Sequence, residues 1–493
     1  MSRQISRRGV IAGLLASGAS PVLARAPEVS VRPPPRGVVA AAQPAPPLAP
    51  PPYAGLLEKA GLGGPTCFAV ADAKGGDMLE AHEPAARLPT ASVAKAATAW
   101  YALNRLGPAF RFRTRLIATA PIVNGRVDGD LILVGGGDPT LNTDDLGALA
   151  AQMKEAGVVE VTGKFRVRHD VLPSLPWIDP DQPDQVAYNP AVGGLNLNFN
   201  RVHFEWRRAK EGYDITMQAR ARKFRPGVGL ATMEIVDRSS PVFAVEHSRE
   251  RDAWSVARRA LGNDGARWLP ISRPAEYAAE VFMTLARSHG IVLKRGADPV
   301  GPVEGAVIAA HASAPLPEML TGMLRYSTNL TAEMVGLTAT LKDGTRPASL
   351  IRSARAMNKW FASEAGTRST GFVDHSGLGY GARVTAPDMV RILQAAARDG
   401  DRLKPLLREV RVDTPGVTVV AKTGTLNFVS GLAGYIEVKD KRPLAFAIFS
   451  ADMPRRDAVP IPNRERPPGT RGWSRRARAL QRDLIARWVT HTV

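Results

Sequence analysis

The sequence predicts an α+β fold: an antiparallel sheet flanked by helices, interrupted by a large inserted α/β region. Three observations predict it. An apolar hairpin pattern early in the chain, Thr66–Asp72 and Asp77–His82, is answered near the end by a meander pattern. That meander runs Val417–Ala421, Gly431–Val438 and Leu444–Ser450, with a tight charged turn at Lys439–Arg442. Between the two, residues from about 139 to 304 alternate strand-like and helix-like stretches, the rhythm of a separate layered body.

The chain opens Ser6-Arg7-Arg8-Gly9 and then turns apolar for a short stretch, the pattern of a secretory signal and too short for an ordinary membrane span. The paired arginines fit a twin-arginine signal and fit an ordinary export signal nearly as well. A cut after Ala24 suits the small residues Val22 and Ala24, giving a 1–24 signal peptide and a periplasmic protein. Residues 25–52 are rich in proline and alanine, cannot form a core and read as an extended linker.

Folding begins near Tyr53. Cys67, the single cysteine, lies in an apolar run and reads as a packed strand residue. Leu88–Leu103 combines a proline, a threonine and an alanine-rich run without internal Gly or Pro, the signature of a buried helix. Asp130–Val134 is a strand that runs into Gly135-Gly136-Gly137, read here as a hinge where the chain leaves its first domain. The folded part then divides into a discontinuous domain, 53–137 and 305–493, and an inserted region, 138–304. Within the insert, Val158–Val167 and Val202–Trp206 read as strands and Ala275–Arg287 as a helix. Asp179, Asp181 and Asp184 cluster near Trp177 and Tyr188 in a proline-punctuated stretch, the composition of a solvated loop. Helical patterns return at Leu316–Leu324 and Leu330–Leu341, and a basic amphipathic helix, Ser474–Val489, closes the chain.

Three spaced motifs carry chemistry. Ser92 and Lys95, three residues apart, share one face of a helix start, where the dipole favours a negative oxygen. A lysine with few waters and a positive neighbour loses proton affinity and can act as base for a serine nucleophile. Ser-x-x-Lys alone fits equally a lysine reaching out of a core helix. Ser327-x-Asn329, just before a helix, taken alone fits a simple cap. Lys422-Thr423-Gly424 follows a β-branched strand. The ordered triple, each member in its proper context, is the motif set of penicillin-binding proteins and class A β-lactamases.

The surroundings narrow this set. Pro89–Lys95, Leu106-Gly107-Pro108-Ala109-Phe110-Arg111-Phe112, Gly136–Leu141, Leu195–Asn200 and Ser327–Glu333 make the chain resemble the low-molecular-mass class C penicillin-binding proteins. These are the D-alanyl-D-alanine carboxypeptidase/endopeptidase family. The long interval from Ser92 to Ser327 holds inserted domains in that family, whereas β-lactamases bring the motifs closer together. The resemblance implies a penicillin-recognising transpeptidase/β-lactamase-like catalytic domain that hydrolyses peptidoglycan stem peptides through an acyl-enzyme on Ser92. It implies Lys95 as base and Ser327 as proton relay. Asn329, Lys422, Thr423, Gly424 and Thr425 would form the substrate-binding set. Backbone N–H groups of Ser92 and Thr425 would stabilise the oxyanion. β-Lactams would be trapped on Ser92, and no cofactor or metal is implied. One stretch departs from the family: a loop that often reads Asp-Gly-Ser-Gly-Leu-Ser is here Asp374-His375-Ser376-Gly377-Leu378-Gly379.

Composition limits the partners. A hydrophobic fraction of 44% and a charged fraction of 23% are ordinary for a globular protein. A formal charge of +19 suits loose contact with an anionic membrane or cell-wall surface. Neither zinc-type Cys/His spacing nor basic runs interleaved with aromatics point to nucleic acid. Two other readings share these features: a β-lactamase or esterase on the same fold, and a decayed cell-wall-binding protein.

Overall fold

The computed structural model describes residues 51–491, apart from 300, 301, 343, 345 and 413. The expected signal peptide and nearly all of the linker lie outside these residues. Among them, a six-stranded sheet is ordered Arg408–Glu409, Val417–Leu426, Val429–Val438, Leu444–Ala451, Thr66–Asp72, Met78–His82. Every neighbouring pair is antiparallel. The early hairpin therefore completes the late meander through Thr66–Asp72 beside Leu444–Ala451.

Strand alternation decides what covers each face. Phe68 and Val70, with Ile436, Phe446 and Ile448, pack against Trp473, Leu484 and Trp488 of the C-terminal helix Thr470–His491. Cys67, Ala69 and Ala71 point the other way, with Ala433, Ala445, Ala447 and Phe449, toward the alanine-rich helix Ala94–Leu106. The small side chains on this face let that helix lie close to the sheet. Helices Leu316–Tyr326, Leu350–Ala365 and Ala386–Arg398 share the same core. Both faces are covered, so Leu444–Ala451 is buried at every position.

A second core gathers residues from Leu116 to Ala309, among them Leu133, Phe165, Phe204, Trp254, Tyr277 and Phe282. Its largest sheet is ordered Ala306–Ala312, Arg113–Ala118, Leu131–Val134, Phe165–Arg168. Helices Thr143–Glu155 and Pro274–Ser288 pack here, the first opened by an Asn142–Asp145 capping box. The expected split at 137/138 cuts through this sheet, because Leu131–Val134 pairs with Phe165–Arg168. The chain instead leaves and returns side by side at Phe112 and Ser313, which exchange two hydrogen bonds, Ser313 N–H to the Phe112 carbonyl and Phe112 N–H to the Ser313 hydroxyl. Of the glycines read as a hinge, Gly135 and Gly136 serve close packing, and Gly137, at φ 85°, turns the chain. A Cβ on Gly136 would lie 2.1 Å from the Arg113 carbonyl oxygen. No helix among the described residues is long and apolar enough to cross a membrane.

Candidate active site

Ser92 lies in a single 3-10 turn, Ala91–Val93, that runs directly into the Ala94–Leu106 helix. The turn presses on the sheet where only glycine leaves room. A Cβ on Gly424 would sit 2.4 Å from the Thr90 carbonyl oxygen. One turn along, Lys95 is fully buried. Its Nζ lies 3.0 Å from Ser92 Oγ, 2.6 Å from Asn329 Oδ1 and 2.7 Å from the Ser376 carbonyl. Burial first, and the nearby Lys422 charge second, lower its pKa from 10.5 to about 7, against the pull of Asp374 and Glu333. A neutral amine in this position keeps two N–H groups for Asn329 and Ser376 and turns its lone pair to the Ser92 hydroxyl.

The other two motifs come to the same place. Ser327 ends the Leu316–Tyr326 helix in the left-handed region, φ 55°, which turns the chain sharply before the next helix starts at Asn329. Its hydroxyl accepts a 2.6 Å hydrogen bond from Lys422 Nζ, which also donates to the Thr423 carbonyl at 2.8 Å. Burial, then Arg408, lowers the Lys422 pKa to about 8. Asn329 donates through Nδ2 to the Tyr188 carbonyl at 2.8 Å, so the inserted region touches the site. Along Val417–Leu426, Lys422 and Gly424 are buried and Thr423 and Thr425 exposed, the two-residue alternation of a strand. Arg408–Glu409 pairs only with Ala421 and Val420, so among the described residues the strand edge from Lys422 onward is open. Such an edge offers backbone N–H and C=O groups to an extended ligand.

A cleft of about 280 Å³ is walled by Ser92, Ser327, Asn329 and Thr425, and further by Gln182, Tyr188, Asn427 and Arg456. Thr423 sits outside this wall. The cluster expected to be a solvated aspartate loop is different in part. Asp179 is buried, accepting from Gln182 Nε2 at 2.8 Å and from the Asp181 N–H, and desolvation raises its pKa. Asp184 is exposed, as expected.

Two acids behind Lys95 were not read from the sequence as site residues. Glu333 is completely buried and accepts the N–H groups of His375 and Ser376 at 3.0 and 2.9 Å. Asp374 accepts those of Gly377 and Gly379 at 2.7 and 2.6 Å. Together they fix the loop whose Ser376 carbonyl meets Lys95. Burial raises both carboxyl pKa values, that of Glu333 with help from Asp374. The available signal was an acid set in the apolar run Leu330–Leu337. His375 faces away, its Nε2 2.7 Å from Ser353 Oγ, and burial holds it neutral with a pKa near 3. Among the described residues no group of three His, Cys, Asp or Glu side chains is placed to hold a metal ion.

A buried amine against a serine hydroxyl, beside a second lysine–serine pair and an open strand edge, suits acyl transfer to an extended peptide. Residues 55–464 match the model of the D-Ala-D-Ala carboxypeptidase 3 (S13) family. The chain is 29% identical over 427 residues to a D-alanyl-D-alanine carboxypeptidase of Actinomadura sp. (strain R39), covering 77% of this chain and 76% of that one. It is 27% identical over 389 residues to the D-alanyl-D-alanine carboxypeptidase DacB of Haemophilus influenzae, covering 73% and 80%. The fold is that of the crystal structure of penicillin binding protein 4 (dacB) from Haemophilus influenzae, with TM-score 0.69 and 23% identity over 81% of this chain and 93% of that one.

Proposed function

The chain belongs to the D-Ala-D-Ala carboxypeptidase 3 (S13) family, as a serine peptidase of penicillin-binding type, and from that premise we propose that it cleaves peptidoglycan stem peptides through an acyl-enzyme on Ser92. The reading covers removal of terminal D-alanine and cutting of 4,3-cross-links. Neutral Lys95 takes the Ser92 proton as Oγ attacks the carbonyl carbon of the penultimate D-alanine. Backbone N–H groups of Ser92 and Thr425 receive the developing oxyanion, an interaction worth several kcal/mol, about 3, in comparable sites. The C–N bond breaks, and the leaving amine takes its proton through Ser327. Lys422 and Thr423 hold the terminal carboxylate, Gly424 lets the strand approach the Ser92 turn, and Asn329 orients the peptide amide. Water, activated by Lys95 once its proton has passed on through Ser327 to the leaving amine, then hydrolyses the ester and Ser92 regains its proton.

β-Lactams would acylate Ser92 in the same way, and a solved Haemophilus influenzae relative is a complex with a β-lactam. The basic and then apolar opening of the chain supports export to the periplasm, and the +19 charge supports loose contact with an anionic wall or membrane surface.

One observation carries the reading: a buried Lys95 Nζ 3.0 Å from Ser92 Oγ, with its proton affinity brought down to about neutral pH. A fluorescent penicillin should label the wild type and not Ser92→Ala, and the wild type should release D-alanine from a pentapeptide. An unlabelled wild type, or labelling that survives Ser92→Ala, overturns it.

A further inference from the structure

A second cleft, about 240 Å³, opens from the same motif on the far side of Tyr188. It shares Ser327, Asn329 and Tyr188 with the Ser92 cleft and runs to Phe199 and Arg201. A third, about 290 Å³, continues from Phe199 and Arg201 to Trp268 and Arg222. Arg201 stands at the junction. Its guanidinium carbon lies 5.0 Å from the Phe199 ring centre and 5.4 Å from that of Trp268, so the two rings fix its direction.

Its hydrogen bonding is nearly unspent. The guanidinium makes one 3.5 Å contact, from Nε to the Asn198 carbonyl, and no acid pairs with it among the described residues. The acid that shares the third cleft, Asp144, and Glu205 farther along the Arg201–Arg208 strand are already engaged. Asp144 accepts the N–H groups of Lys223 and Phe224, and Glu205 pairs with Arg220. Burial works against the charge and lowers the Arg201 pKa, although a guanidinium stays protonated at any ordinary pH. A half-buried cation with a planar fork of free donors, facing a groove, is matched by a carboxylate.

We propose that the groove from Ser327 to Arg201 is a carboxylate subsite for the second stem of a cross-linked peptidoglycan peptide, on the leaving-amine side of the bond that is cut. The proposal rests on the acyl-enzyme reading given above, because it takes its direction from Ser327. As the C–N bond breaks onto Ser92, the leaving nitrogen takes its proton at Ser327, and whatever that nitrogen carries continues past this hydroxyl. For a pentapeptide it carries a single D-alanine, whose one carboxylate is taken by Lys422 and Thr423. In a cross-linked dimer it carries a whole stem with further carboxylates, one of which reaches the fork.

The full-length protein, given purified 4,3-cross-linked muropeptide dimers and monomeric pentapeptide muropeptides, provides the test. The ratio of kcat/KM for dimer over pentapeptide should fall about tenfold or more in Arg201→Met, which keeps an unbranched stem between the rings, and less in Arg201→Lys. A dimer whose leaving stem is amidated at every carboxylate except the one on the carbon bearing the leaving nitrogen, which Lys422 and Thr423 hold, should lose the same factor in the unmutated protein, a measurement independent of how the variants fold. A ratio unmoved by Arg201→Met or by amidation overturns the subsite, as does a wild type that trims pentapeptide and leaves dimer intact. A wild type that cleaves neither and takes no penicillin label removes the acyl-enzyme reading itself.

Discussion

Acylation of Ser92 should switch on with rising pH as Lys95 loses its proton, with a midpoint near neutrality. An exposed lysine keeps its proton to 10.5, whereas Lys95 releases it at about 7. That interval corresponds to roughly 5 kcal/mol in favour of the neutral amine. Burial contributes most and Lys422 next, while Asp374 and Glu333 oppose both. Below the midpoint, each pH unit should cost about tenfold in acylation rate, because only the neutral amine accepts the serine proton. The rate should fall again on the alkaline side as Lys422, with a pKa of about 8, gives up the charge that holds a carboxylate. Lys95 feels the charge of Lys422, so the two limbs are linked. Stopped-flow acylation by a fluorescent penicillin, from about pH 5.5 to 9.5, reads this profile directly. A rate still climbing at the alkaline end, or level across the acid half, would refute the role given to Lys95.

The same burial sets a stability signature. Lys95 has a folded pKa below its unfolded one, so between about 7 and 10.5 the unfolded chain holds more protons and stability rises with pH, by up to about 1.4 kcal/mol per unit. Lys95→Met lacks this contribution, so any advantage it has in urea denaturation should be largest near pH 7 and shrink as pH rises; a pH-independent difference would count against it. Glu333→Gln leaves one of two backbone N–H groups without an acceptor and so loosens the loop whose Ser376 carbonyl meets Lys95. The plateau of acylation should fall about tenfold with the acid limb little moved, because burial holds Glu333 largely protonated at the pH where Lys95 titrates, and an unchanged plateau would exclude this positioning role. Gly336→Ala lies inside the Asn329–Leu341 helix, where the change would ordinarily stabilise by up to about 1 kcal/mol. Here the new Cβ would lie 2.1 Å from the His375 ring, so thermal unfolding should instead show a loss of about 1–3 kcal/mol.

Much of the fold was legible because apolar periodicity reports burial directly. The hairpin and meander appear where alternation placed them, since Phe68 and Val70 feed one core and Ala69 and Ala71 the other. The three motifs were legible because each couples a chemically specific residue to a local signal: a helix start, a break between helices, a β-branched strand. The neck of the inserted region was not. Gly135–Gly137 reads the same whether glycine is needed for turning or for a tight backbone approach; neighbouring carbonyls decide it for Gly135 and Gly136, and a left-handed backbone for Gly137. Glu333 and Asp179 were missed for a related reason. An acid is ordinarily solvated, and the backbone N–H groups or glutamine amide that make burial tolerable lie far away in sequence or in an irregular loop.

Ser327 occupies a backbone position that suits glycine, and holding a serine there costs about 1–2 kcal/mol. Ser327→Gly would therefore toughen the helix end while deleting the hydroxyl that Lys422 grips. Selection for heat resistance alone would push this position toward a sturdier, idle molecule. A library sorted by survival of heating and another sorted by turnover should part company at this one codon.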